Sequence, residues 1–116
     1  MTDTKIFHNP SCSKSRQTLS LLQEQGESPH IVEYLSTPPN AAELAFIIET
    51  LGIQPRDLMR KGEAEYKDLN LMDDQLSRDE LIDAMVNNPR LIERPIVIKN
   101  NKVAIGRPPE NVLSIL

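Results

Sequence analysis

Cys12 is the one cysteine in a chain of 116 residues, and it lies in the segment His8-Asn9-Pro10-Ser11-Cys12-Ser13-Lys14-Ser15-Arg16. A single thiol cannot close an intramolecular disulfide or build a multi-cysteine metal site. It can act as a nucleophile once ionised. Asn9-Pro10-Ser11 is turn chemistry, and a helix is expected from about Ser13 to Gln25, so Cys12 falls just before or within its first turn. Unpaired backbone N–H groups and the positive end of the helix dipole favour an anion there. A free thiol, with a pKa of about 8.5, is only about 3% ionised at pH 7, so this placement should raise the nucleophilic fraction. The same N–H groups can hold an oxyanion. Arg16 is one helical turn further on and can add to the effect.

Each of these residues also has a plainer reading. A lone cysteine can be a small buried hydrophobe, although its place in a turn at a helix start favours reactivity. Arg16 is either a surface helix charge or a site residue. His8 ends a strand and can be structural. Ser13 and Ser15 suit solvated or capping roles, and Lys14 a solvated helix charge. Spacing removes two alternatives. A phosphatase-type Cys-x5-Arg cradle needs arginine where Thr18 stands, and a dithiol Cys-x-x-Cys motif needs cysteine where Ser15 stands. The chain is therefore a monothiol, able to form a covalent adduct but dependent on another thiol to resolve it. Arg94 and Arg107 lie at strand boundaries, and their planar donor forks suit tetrahedral oxyanions. Arg60, beside Lys61, is ambiguous by itself.

The elements that must position these groups follow from local pattern. Thr4–His8 and His30–Leu35 read as strands flanking the first helix, whose apolar stripe is Leu19 and Leu22 supported by Leu21, with Gly26 ending it. Leu44, Ile47, Ile48 and Leu51 mark one helical face, closed by Gly52. Short helices are expected from Pro55 to Arg60 and over Ala64 to Leu69. Ser77 and Glu80 form a capping box ahead of Leu81, Ile82, Met85 and Val86. Ile96-Val97-Ile98 and Val103–Ile105 make a hairpin about Asn100-Asn101, and a final helix runs from Glu110 to Leu116. This order predicts a single α/β domain over 1–116, of thioredoxin-like class. Its mixed four-stranded sheet is flanked by helices, with a helical insertion between the β-α-β unit and the C-terminal β-hairpin plus helix.

Composition sets outer limits. Thirteen Lys and Arg against seventeen Asp and Glu give a formal net charge of −4, and aromatics are 3%, a poor basis for nucleic-acid binding. No apolar run reaches membrane-spanning length. No secretory pattern opens the chain, so a cytoplasmic location is expected.

His8-Asn9-Pro10-x-Cys12 with Arg16, Leu58-Met59-Arg60, Glu93-Arg94-Pro95-Ile96-Val97 and Gly106-Arg107-Pro108 together resemble the glutaredoxin-coupled arsenate reductase family over essentially the whole chain. Ser-Cys-Ser-Lys-Ser-Arg and Ile-Gly-Arg-Pro-Pro-Glu look most like its short YfgD-type, arsenate reductase-like subgroup. The resemblance implies that Cys12 is the nucleophile and His8 the histidine beside it. Arg60, Arg94 and Arg107 would bind the oxyanion, and Pro95 would be the cis proline. It implies arsenate reduction through a thiol-arsenate adduct, with glutathione as co-substrate and glutaredoxin as partner. No bound cofactor, metal, nucleic acid or membrane is implied, and a monomer is expected. Two departures stand out: longer members continue past the position of Leu116, and Lys14 replaces a small uncharged residue. The Spx family of RNA-polymerase-binding regulators shares the fold and the Arg-Pro-Ile element, but its Cys-x-x-Cys switch is not matched at Ser15. A general glutathione-dependent thiol oxidoreductase is the third alternative.

Overall fold

The computed structural model describes residues 4–116. They form two compact units: one runs up to Thr37 and resumes at Arg94–Leu116, and the other is Pro38–Glu93. Among the described residues no helix is long and apolar enough to cross a membrane.

The first unit is built on a four-stranded sheet. Strand β1 (Thr4–His8) pairs in parallel with β2 (His30–Glu33) and antiparallel with β3 (Ile96–Lys99), which pairs antiparallel with β4 (Lys102–Ile105), giving the order β2-β1-β3-β4. This is the mixed sheet expected of the thioredoxin-like class. The hairpin turn is closed by Asn100 and Asn101 at φ 50° and 65°, the left-handed region that asparagine tolerates. Ile6, Val97 and Ala104 are aligned across the three strands by register. They form one core cluster with Leu22 of helix α1 (Ser13–Glu24) and with Val112 and Ile115 of a C-terminal 3₁₀ segment, Pro109–Ile115.

Three local expectations change in this unit. The buried face of α1 is Ser15, Thr18 and Leu22, while Leu19 and Leu21 are only half-buried against the core. The spacing of three and four residues is helical, but two of the three inward residues are hydroxylic. Strand β2 stops at Glu33, because Ser36 and Thr37 donate to the Glu33 carbonyl and turn the chain there. The final segment is 3₁₀ throughout rather than α-helical.

The second unit is helical. Helix α2 (Ala41–Leu51) begins at an Asn40/Glu43 capping box and ends at Gly52, with φ 69°. Its Leu44, Ile47 and Ile48 are buried. Pro55–Leu58 is a 3₁₀ turn, shorter than the expected helix, because Met59 leaves it in extended conformation and bridges Ile92. Helix α3 is Ala64–Asp68. Helix α4 (Arg78–Asn87) begins at the expected Ser77/Glu80 capping box and buries Leu81, Ile82 and Met85. A 3₁₀ turn, Pro89–Leu91, follows.

Candidate active site

The turn that carries the thiol is made by its own residues. Asn9 Oδ1 accepts the Ser11 N–H and the Asn9 carbonyl accepts the Cys12 N–H, each at 3.0 Å. Pro10 supplies the φ that the second position of such a turn needs. The turn delivers Cys12 to the N-cap of α1 with extended backbone (φ −99°, ψ 123°), and its side chain makes no capping hydrogen bond. The thiol is thus at the helix start but not used to close it. It is half-buried.

Two guanidinium groups from the same end of the sheet, where β3 begins and β4 ends beside the end of β1, meet this thiol. Arg94 immediately precedes β3 and Arg107 follows β4. Arg107 Nη1 lies 4.0 Å from Cys12 Sγ and donates to the Arg94 carbonyl at 3.3 Å. Partial burial pushes the Cys12 thiol up. The Ser15 backbone N–H, the charge of Arg94, the Lys14 backbone N–H and a hydrogen bond from Arg94 together outweigh it, leaving the pKa below the ordinary thiol value. The anion is stabilised by the helix N-terminus and by one nearby arginine, the two sources physics would predict.

The remaining site candidates are distributed differently. His8 is buried, and its Nδ1 lies 2.6 Å from Ser15 Oγ. Burial pushes the His8 pKa down, Glu33 opposes this, and Arg16 adds to it. Arg16 is exposed and its Nη1 donates to the Pro10 carbonyl at 2.8 Å, bracing the turn from outside. The charge that stabilises the thiolate is that of Arg94 rather than the expected Arg16. Arg60 lies in the helical unit. Its backbone N–H donates to Leu91 at 2.7 Å, and its Nη2 pairs with Glu63 at 3.2 Å. The Arg94–Pro95 and Arg107–Pro108 peptides are both cis.

Three further residues, marked by no motif, support the site. Ser15 is wholly buried and accepts the Asn9 N–H at 3.0 Å as well as facing His8. Thr18 is wholly buried against Gly106. Asn111 donates from Nδ2 to the Ile105 and Arg107 carbonyls at 3.3 and 3.1 Å, holding the loop that carries Arg107. The one available signal was the Ser15–Thr18–Leu22 helical spacing. Among the described residues no three His, Cys, Asp or Glu side chains gather as a metal site would require.

A family model described as the ArsC family matches residues 7–115. The chain is 57% identical over 113 residues to the uncharacterized protein YfgD of Escherichia coli strain K12, covering 97% of this chain and 95% of that one. It is 48% identical over 117 residues to a protein of Neisseria meningitidis serogroup A named arsenate reductase, covering 100% of both. Among solved structures, the arsenate reductase from Vibrio cholerae superposes with a TM-score of 0.96 at 51% identity, covering 99% of this chain and 98% of that one.

Proposed function

The chain belongs to the ArsC family, and we propose that it reduces arsenate to arsenite through an adduct on Cys12 that glutathione and glutaredoxin resolve. The observation that carries this reading is the Cys12 thiol at the N-cap of α1, lowered in pKa and flanked by Arg94 and Arg107. Relatives of similar length from Neisseria meningitidis and Vibrio cholerae bear the name arsenate reductase, which supports the same substrate here.

In this reading the arsenate dianion is held by the guanidinium groups of Arg94 and Arg107 and by the N–H groups opening α1. Cys12 thiolate attacks arsenic(V). An S–As bond forms, and an arsenate oxygen leaves as water after protonation. The guanidinium groups stabilise the added negative charge during attack. Glutathione thiolate then attacks Cys12 Sγ. The S–As electron pair stays with arsenic, which departs as arsenite, reduced by two electrons. A Cys12–glutathione mixed disulfide remains. A glutaredoxin thiolate takes the glutathione and returns Cys12 as thiolate. A borrowed thiol is needed because position 15, where a resolving cysteine would stand, is a buried serine engaged with His8. Arg60 is assigned to oxyanion binding on the resemblance alone, and Arg60→Ala is expected to raise KM for arsenate. The reaction belongs in a reducing compartment such as the cytoplasm, where glutathione keeps Cys12 reduced.

The test is NADPH oxidation coupled through glutathione reductase, with glutathione, glutaredoxin and arsenate present. Turnover by the native chain and complete loss in Cys12→Ser, with an unchanged far-UV CD spectrum, is the expected result. Turnover by Cys12→Ser equal to the native chain would remove the mechanism.

A further inference from the structure

Arg107 sits on a loop outside the sheet, and the Pro109–Ile115 segment after it is 3₁₀. Its guanidinium nonetheless reaches to 4.0 Å from Cys12 Sγ. The residue before it, Gly106, is the one glycine of the described residues whose α-carbon has no room for a side chain. A Cβ there would stand 2.5 Å from Thr18 Oγ1, 2.9 Å from Pro95 Cγ and 3.0 Å from Thr18 Cγ2. Two of those three atoms belong to Thr18, on the inward face of the helix that Cys12 caps. Thr18 has little freedom to yield. It is wholly buried, its Oγ1 donates to the Lys14 carbonyl at 2.8 Å, and the same oxygen stands 3.4 Å from the Gly106 carbonyl. On the other side, the Gly106 N–H is tied to the Pro95 carbonyl at 2.9 Å.

We infer that the Thr18–Gly106 contact is the positioning device that sets Arg107 beside Cys12. Thr18 occupies the place where a Cys-x5-Arg cradle would carry its arginine. Here the helix offers a small side chain instead, and the gap it leaves lets the Gly106 backbone come close enough for Arg107 to supply the guanidinium from the β4 exit. Thr18 and Gly106 are positioning residues that act through Arg107. The proposal rests on the reading of Arg107 as an oxyanion-binding group, but its geometry can be tested without turnover.

The test is NMR of the arginine side-chain signals through a pH titration of the Cys12 thiol, with Cys12→Ser as control. In the native protein the Arg107 Nε signal should report the thiol titration. In Gly106→Ala it should not. An Arg107 signal that still follows the thiol in Gly106→Ala overturns the inference. A second arm measures how well arsenate protects Cys12 from iodoacetamide. Gly106→Ala should weaken protection about tenfold, a loss of about 1.4 kcal/mol, and should cost nothing further when Arg107→Ala is already present. Additive losses would mean that Gly106 acts through general destabilisation, against the inference. Thr18→Ala/Gly106→Ala removes two of the three crowding atoms and should recover most of the protection. It also serves if Gly106→Ala alone fails to fold, and protection as poor as in Arg107→Ala would again overturn the inference. Native protein with the NMR coupling but no arsenate protection would instead count against the functional reading, leaving the positioning contact standing.

Discussion

The Ser15 hydroxyl oxygen lies 2.6 Å from His8 Nδ1 while accepting the Asn9 backbone N–H at 3.0 Å. One buried oxygen thus joins the last residue of β1, the thiol-bearing turn and the first turn of α1. Its second lone pair and its proton are available to the ring, and the arrangement in which the hydroxyl donates to Nδ1 leaves the ring proton on Nε2. Ser15→Ala should strand a part-buried N–H and a buried ring nitrogen, costing about 1–3 kcal/mol of stability, read from urea unfolding. The backbone N–H of residue 15, which helps lower the thiol, is retained in that variant. The iodoacetamide pH profile of Cys12 should therefore stay close to native. A large upward move of the midpoint would place the hydroxyl, rather than the backbone, in contact with the thiolate.

The thiol itself should ionise below the ordinary thiol range, because the helix N–H groups and Arg94 outweigh partial burial. Arg94→Ala is expected to raise the midpoint of Cys12 alkylation, whereas Arg16→Ala should leave it in place, since the Arg16 guanidinium is engaged with the Pro10 carbonyl. Equal shifts from the two variants would refute this division of roles.

The arrangement of strands and the position of Cys12 were readable in the sequence because both rest on local pattern: turn residues at 9–11, paired asparagines at 100–101, apolar runs in β3, and a capping box at Ser77. The meeting of Arg94 and Arg107 at the thiol was not readable by spacing, since it depends on the antiparallel return of β3 and β4 beside β1, and only the family resemblance suggested it. The hydroxylic type of Ser15 and Thr18 hides the helical periodicity that sets both on the inward face with Leu22. Hydroxylic side chains on an inward helix face are burial-competent once each has a partner, and here those partners are His8, Asn9 and Lys14. The exchange of Arg16 for Arg94 has a similar origin. Sequence distance along a helix favours the near arginine, but its side chain turns back to the Pro10 carbonyl.

His8 should titrate below the ordinary histidine value of about 6.5, since burial is the largest influence on it. Burial thus favours the neutral ring. A folded-state pKa below the unfolded one makes protonation favour unfolding, so the associated stability is complete above about pH 6.5 and declines as pH falls through the folded pKa. Ring-proton NMR shifts followed from pH 8 to 4 measure it directly. A midpoint above 6.5 would show that the attraction of Glu33 exceeds desolvation.

Glu27 offers a second titrating group, one that acts on stability rather than on the thiol. It is buried and accepts from Thr4 Oγ1 at the start of β1 and from Lys99 Nζ at 2.7 Å at the end of β3, residues that are partners in the sheet register. The Lys99 hydrogen bond, then that of Thr4, hold its carboxyl below the usual carboxylate range against the opposing effect of burial. Glu27→Gln leaves Lys99 with 16% side-chain exposure and no carboxylate, so a loss of about 3 kcal/mol at pH 7 is expected, near the low end for breaking a buried pair. Because the native pKa is depressed, the stabilisation is complete above about pH 4.3, the unfolded value, and disappears as pH falls through the folded pKa. The stability gap between native protein and Glu27→Gln should therefore close on acidification. Urea midpoints at pH 7, 4 and 3 test this, and a gap that stays constant across the three would mean that Glu27 contributes through packing alone.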